Sequence, residues 1–266
     1  MPIPTRSITR PRHVLLLLVA VIAIALAVAL IREPRPDFAP SAPRPGVTLH
    51  DLTFAGRSYA VCEIDPARAP LRLFWKRPDG SRYATFAALN ADHPLAFATN
   101  AGIFDPTFAP CGLHAADGRE LIPLNTRDGP GNFYLRPNGV FVIDDDHGPR
   151  ILETGKYPGT TPRTRLATQS GPMLVIDGAL PPQFAPDSPN RRTRSGVGVR
   201  AADRAAVVFA LSREPVTFHE FATLFQQRLG CPDALYLDGE ISRFYTPGDA
   251  SPPDGNFAGI LAVTAR

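Results

Sequence analysis

The sequence predicts an α+β protein: a mixed β-sheet core with a few helices, forming one globular domain behind an N-terminal transmembrane helix. Three observations predict it. The chain of 266 residues carries 30 prolines, which favour short elements and many turns over a helical bundle. Short apolar runs bounded by Gly, Pro, Asn or Asp recur along the chain and have the pattern of strands. Two stretches show helical spacing of apolar residues, each set between two strand-like runs.

Arg6, Arg10, Arg12 and His13 precede an unbroken apolar run at 14–31. At helical rise that run is roughly 27 Å long, close to the hydrocarbon thickness of a bilayer. Basic residues ahead of the span orient residues 1–13 to the cytoplasm and everything after Arg32 to the outside. The expected location is therefore the bacterial inner membrane, with one anchor and a periplasmic domain. Cleavage at Ala27-Val28-Ala29 is the alternative, and it exports the domain. Residues 32–46 are rich in proline and lack apolar periodicity, so they read as an extended linker, leaving 47–266 for the domain. In an oxidising compartment Cys62, Cys111 and Cys231 allow one disulfide and one leftover thiol.

Residues 47–64 alternate around Gly56 and predict a hairpin, and 71–75 predict a strand. Ser81 caps an expected helix through Tyr83, Phe86, Ala87 and Leu89, which His93-Pro94 ends before a strand at 95–99. Strands are expected at 133–135 and 140–143, around the Pro137-Asn138-Gly139 turn. The run Asp144-Asp145-Asp146 lacks the ligand spacing of an EF-hand and reads as a solvated loop. A strand at 207–211 leads to Thr217 and Glu220, a capping box, followed by the stripe Phe218, Phe221, Leu224, Phe225, Leu229. Gly230 and Pro232 stop it, and a strand at 234–237 follows. The two strand–helix–strand units look like an internal repeat. As crossovers in one sheet they would deliver Asn100 and Asp238 to the same edge.

Hydrophobic content of 44%, charged content of 20% and a formal charge of +3 describe an ordinary globular chain without a nucleic-acid footprint. The chemistry concentrates at strand ends. Asn100, Gly102 and Asp105 follow the first unit, and the turn at 123–132 adds Asn125, Thr126 and Asp128 as short donors and acceptors. Gln169, Ser170 and Gly171 precede a proline and an apolar strand; Gly171 lets backbone approach a ligand. Arg194 leads into a small-residue strand, and its planar fork suits phosphate, whereas Arg191 and Arg192 read as a solvated turn. Asp238, Gly239, Glu240, Ser242 and Arg243 end the last strand, where a buried acid needs partners. His114 reads as a hydrogen-bonding residue, and no base is positioned for Cys111. No HExxH, paired CxxC, Walker loop or GxSxG occurs, so the motifs name no cofactor and leave a divalent cation, and its ligands, open.

Four segments in this order, TNAGIFD, TQSGPMLV, RSGVG and LDGEIS, together resemble the phosphodiester glycosidase family, and the PLNTRDGPGNF segment is similar to its bacterial exported branch. The resemblance spans about 50–263. It implies hydrolysis of a sugar-1-phosphodiester at the anomeric carbon, acting on envelope glycans or glycoconjugates. By matching position it implicates Asn100, Gly102, Gln169, Ser170, Gly171, Arg194, Asp238, Gly239 and Ser242. Ala101 stands at a turn-glycine position, and Glu240 and Ile241 replace two glycines after Asp238, so the pocket differs from the family pattern. A phosphate departs easily, since its monoester has a second pKa of about 6, so arginine and backbone N–H donors could carry the departing charge. The expected roles are Asp238 as base or nucleophile, Glu240 or Asp105 as second carboxylate, and Arg194 with Arg243 at the phosphate. The substrate is a sugar phosphate or glycan, the membrane is met through the N-terminal helix, and no protein partner is indicated. A non-catalytic module that binds envelope polysaccharide is the competing reading.

Overall fold

The computed structural model describes residues 44–200, 206–239, 241–248 and 255–265. The expected cytoplasmic tail, membrane span and most of the linker fall at 1–43, outside the described residues, as does Glu240. Among the described residues no helix is long and apolar enough to cross a membrane.

The elements in chain order are β1 (Val47–Phe54), β2 (Arg57–Ile64), β3 (Leu71–Phe74), α1 (Phe86–Asp92), β4 (Leu95–Asn100), β5 (His114–Ala116), β6 (Arg119–Ile122), β7 (Gly139–Asp144) and β8 (Gly148–Glu153). They continue with β9 (Thr164–Ser170), β10 (Met173–Val175), β11 (Ser195–Val199), β12 (Val207–Ser212), α2 (Phe218–Thr223), β13 (Asp233–Asp238), β14 (Phe244–Tyr245) and β15 (Ile260–Thr264). They form three sheets with strand orders β1-β2-β12-β11-β13-β10, β14-β4-β15-β3 and β6-β5-β9-β7-β8. The α+β class stands, and every named strand pair described is antiparallel.

Local chemistry explains the accurate boundaries. Ala55 and Gly56 both take positive φ, 49° and 73°, the twist a two-residue hairpin needs between β1 and β2. Thr217 and Glu220 form the reciprocal capping box that starts α2. Two elements are corrected. Helix α1 starts at Phe86, capped by Thr85, because Ala84 sits at φ 61° and breaks the helix expected from Ser81. Residues Asn132–Tyr134 form a 3-10 turn instead of a strand, entered through Gly131 at φ 89° and held when Asn138 Nδ2 donates to the Phe133 carbonyl at 2.9 Å.

The central core lies where the three sheets face one another. One phenylalanine from each meets there: Phe209 of β12 packs against Phe97 of β4 at 5.7 Å and against Phe141 of β7 at 6.3 Å between ring centroids. All three rings are fully buried, each contributing about 1.5–3 kcal/mol of burial energy. A second cluster fills the space between α2 and the six-stranded sheet, and a third that between α1 and the four-stranded sheet.

The crossover repeat does not exist as a sheet feature. Strand β4 pairs with β15 and β14, whereas β13 pairs with β11 and β10 in another sheet. A strand–helix–strand pattern is local, and sheet membership is decided by partners far along the chain. The ends of β4, β9 and β13 nonetheless converge, one strand end from each sheet.

Candidate active site

Strand β4 is buried along its whole length and ends in Asn100, which is 1% exposed. Its Nδ2 donates to Ser195 Oγ at 3.0 Å, and its Oδ1 lies 3.4 Å from the Arg243 N–H. Ser242 Oγ donates to Ser195 Oγ at 2.8 Å, and Ser195 pairs in register with Asp238. From the third sheet, Ser170 Oγ donates to the Leu237 carbonyl at 3.0 Å and accepts from the Ile103 N–H at 3.3 Å. Asn100, Ser170, Ser195 and Ser242 thus tie three strand ends together in a buried hydroxyl and amide network.

Asp238 emerges from this network partly exposed. Burial raises its carboxyl pKa to about 6, offset by the Gly239 N–H, which donates to Oδ1 at 2.6 Å. Asp105 is the opposite case. Its Oδ1 accepts from Thr107 N at 2.8 Å, Thr107 Oγ1 at 2.6 Å and Ala109 N at 3.1 Å, and the Thr107 hydroxyl foremost holds its pKa below the usual carboxylate value. Both charges reach the half-buried Cys111, whose thiol pKa is raised to about 11, first by burial and then by the charges of Asp105 and Asp238. A thiol so protonated is a poor nucleophile. All three cysteines are free, so the disulfide that the sequence allows is not formed; Cys62 and Cys231 are buried.

A cleft of about 370 Å³ opens beside Cys111, lined among others by Asp105, Asn125, Thr126, Arg127 and Tyr134. One of its lining residues, Asn125, is held in place by Gln169. This buried amide accepts through Oε1 from the Leu113 and Asn125 N–H groups and donates through Nε2 to the Asn125 carbonyl and Thr154 Oγ1. Asn125 in turn donates to the Cys111 carbonyl at 2.7 Å and accepts from Arg127 N at 3.1 Å and Arg127 Nε at 3.3 Å.

Several residues expected to touch substrate instead build the frame. Gln169 uses both amide atoms internally. Arg194 is fully buried; its Nε donates to the Val216 carbonyl at 2.9 Å, and its guanidinium lies 3.7 Å from the Phe218 ring centre. Burial lowers its pKa, so it is a desolvated strut and not a reachable phosphate clamp. The entry into β11 explains this: neighbouring extended residues point opposite ways, so Arg194 turns towards α2 while Ser195 turns to the strand-end network. The glycines also face the chain itself. A Cβ on Gly102 would stand 2.3 Å from the Gln169 carbonyl oxygen, one on Gly171 2.6 Å from the Phe133 carbonyl oxygen, and one on Gly239 2.8 Å from the Tyr236 hydroxyl. Asn100, Ser170 and Ser242 are consumed by the network described above. Asp128 points out of the cleft, its side chain 91% exposed and paired with Arg136 at 2.9 Å. Arg191 pairs with Glu220, as a surface turn should. The loop after β7 is likewise closed by ion pairs, Asp145 with Arg165 and Asp146 with Arg163.

The sequence reading missed Ser195, Arg127 and Tyr134. Ser195 sits in the RSGVG segment beside the more conspicuous arginine, and Arg127 lies inside the turn whose neighbours were singled out. His114 is the other surprise: it is 1% exposed, tilted against Trp75 at 5.6 Å, with neither ring nitrogen partnered among the described residues. Burial lowers its pKa to about 4. No cluster of three His, Cys, Asp or Glu suited to a metal ion occurs among the described residues.

Comparison with known proteins places the chain in a family. The profile of the phosphodiester glycosidase family matches residues 93–257. The uncharacterized protein YigE of Escherichia coli (strain K12) is 35% identical over 209 residues, covering 77% of this chain and 79% of YigE. Among solved structures, the catalytic domain of zebrafish N-acetylglucosamine-1-phosphodiester alpha-N-acetylglucosaminidase, auto-inhibited by its pro-peptide, superposes with a TM-score of 0.57 at 14% identity, over 83% of this chain and 82% of that one. A protein from Burkholderia pseudomallei K96243 gives 0.50 at 15% identity, over 78% and 74% of the two chains. Both structures share the fold.

Proposed function

We propose that this chain, which belongs to the phosphodiester glycosidase family, hydrolyses a sugar-1-phosphodiester of the cell envelope, held at the outer face of the inner membrane by residues 14–31. In this reading water attacks the anomeric carbon, the bond from that carbon to the phosphate oxygen breaks, and the electron pair leaves on a phosphomonoester. Asp238 takes the proton from water. The observation that carries the reading is Asp238 itself: a partly exposed carboxylate at the junction of three sheets, with its pKa raised to about 6, so that it can exchange protons near neutrality. An ordinary glycosidase needs a second carboxylate to protonate its leaving group, but a phosphate leaves without one. Asp105, ionised and bound into its own turn, then faces the sugar as a fixed negative charge, and Arg243 neighbours the departing phosphate.

One observation favours a binding module instead. Asn100, Gln169, Ser170, Arg194 and Ser242 are engaged internally, which leaves few polar side chains for chemistry. Product release decides between the two. The purified chain is incubated with a panel of sugar-1-phosphodiesters, with and without chelator, and reducing sugar is measured. The hydrolase reading expects release from at least one member, and release from none favours binding.

A further inference from the structure

We propose that the Tyr236 hydroxyl, with the Arg194 cation behind it, receives the substrate's phosphate group beside Asp238. The proposal rests on the hydrolase reading and adds to it the donor that meets the departing charge. It starts from a buried cation without a counter-charge. Arg194 is fully buried, and a guanidinium stays protonated in a protein even where burial lowers its pKa. Its Nε and Nη2 donate to the Val216 and Asn190 carbonyls, the Phe218 ring lies against it, and Nη1 takes no hydrogen bond. Among the described residues no carboxylate pairs with it. A buried charge left in this state is costly, and an anion brought close to it relieves the cost.

Arg194 itself stays out of reach, and Tyr236 extends it to the reacting centre. The Tyr236 ring centre lies 5.6 Å from the guanidinium carbon, and the ring meets Phe218 edge-on at 4.9 Å. Its hydroxyl has Arg194 and the Asn132 amide as polar neighbours. Both approach as donors, so the phenol's own proton is left to donate onward. Burial foremost, and the charge of Asp238 next, push the Tyr236 pKa up, so the hydroxyl keeps that proton. Gly239 leaves the hydroxyl uncovered: a Cβ there would stand 2.8 Å from its oxygen, while the Gly239 N–H donates to Asp238 Oδ1 at 2.6 Å. The hydroxyl and the carboxylate therefore adjoin the same glycine.

A phosphate answers this arrangement better than a sugar hydroxyl, which would leave the cation uncompensated. As the bond from the anomeric carbon to the phosphate oxygen breaks, its electron pair adds negative charge to the phosphate. A hydrogen bond donated by Tyr236, backed by an unpaired cation in a desolvated site, strengthens as that charge grows. Tyr236 transfers no proton in this step; the proton of the attacking water goes to Asp238.

The test is calorimetric titration of the full chain with inorganic phosphate at constant ionic strength, alongside kcat/KM on a sugar-1-phosphodiester. Tyr236→Phe keeps the ring and removes only the hydroxyl; it should weaken phosphate binding and lower kcat/KM, each by about tenfold or more. Gly239→Ala, whose methyl group would lie against the hydroxyl, should weaken phosphate to a similar extent, and it keeps the proposal testable if Tyr236→Phe fails to fold. Arg127→Ala, in the cleft beside Cys111, should leave phosphate affinity unchanged. A parent that binds no phosphate overturns the proposal, as does parental affinity in both Tyr236→Phe and Gly239→Ala, or a loss confined to Arg127→Ala. Hydrolysis equally fast in the parent and in Tyr236→Phe sinks the Tyr236 assignment and spares the hydrolase. Phosphate binding that needs the Tyr236 hydroxyl, without hydrolysis of any diester, supports the anion site and sinks the hydrolase reading.

Discussion

The charges of Asp238 and Asp105 act on the same cysteine, Cys111, yet their own surroundings push the two carboxylates in opposite directions. Asp238 ends a buried strand, where loss of solvent disfavours its charge and a single backbone N–H partly compensates. Asp105 opens a loop whose hydroxyl and N–H groups converge on one of its oxygens and favour the charge. The difference teaches how one fold assigns two roles to the same side chain. Burial makes a proton carrier, and local donors make a permanent anion that also shapes its loop.

The largest effect expected from this contrast is catalytic. Asp238→Asn should lower turnover of a sugar-1-phosphodiester by about 10²–10⁴-fold, the range usual for a general base, while thermal unfolding stays close to the parent. Asp105→Ala should do the reverse. Losing the acceptor of three donors costs about 1–2 kcal/mol, read by denaturant unfolding, with turnover kept within about tenfold. Similar losses of turnover in both variants would erase the distinction.

Next in size is the frame that holds Asp238 in place. Gly102→Ala puts a methyl group 2.3 Å from the Gln169 carbonyl oxygen, a clash with backbone that cannot rotate away. Unfolding should show a loss of about 1–3 kcal/mol, typical of overpacking. An unperturbed midpoint would mean that the β4 and β9 ends are less tightly joined than described.

Stability against pH sharpens the contrast further. For Asp238 the folded pKa, about 6, lies above the unfolded value of 3.8, so the native state binds the extra proton in that window and stability contributed by this group rises as pH falls from 6 to 4. For Asp105 the folded pKa is depressed, so its contribution is present above 3.8 and is lost as pH falls below it. His114 opposes Asp238 in the upper window. Its folded pKa of about 4 lies below the unfolded 6.5, so its contribution is full above 6.5 and is lost on acidification towards 4. Urea unfolding between pH 4 and 7 should therefore show, relative to the parent, stability that falls on acidification for Asp238→Asn and rises on acidification for His114→Phe. Parallel profiles for the two variants would contradict the assignment of opposite signs.

Much of the fold was legible because its signals are local. The Ala55-Gly56 turn, the Thr217 capping box and the buried run of β4 each announce themselves within a few residues. The strand ends carrying Asn100, Ser170 and Asp238 were legible for the same reason. What was not legible is what each end faces. Arg194 and Ser195 are neighbours, and only the partner strands decide which of them turns towards α2. Gln169 and Gly171 look like ligand-facing groups until Asn125 and Phe133, distant in sequence, fill the space beside them. The apparent repeat failed on the same point, since the pairing of β4 with β15 is settled some 160 residues downstream.

The account rests on a partly exposed carboxylate that moves a proton, and the pH dependence of kcat/KM on a sugar-1-phosphodiester tests this most directly. The rate should climb through a single ionisation near pH 6 as Asp238 loses its proton, and that rising limb should vanish from the residual activity of Asp238→Asn. A rate that stays level from pH 5 to 7, or a variant that keeps the same limb, would contradict the account.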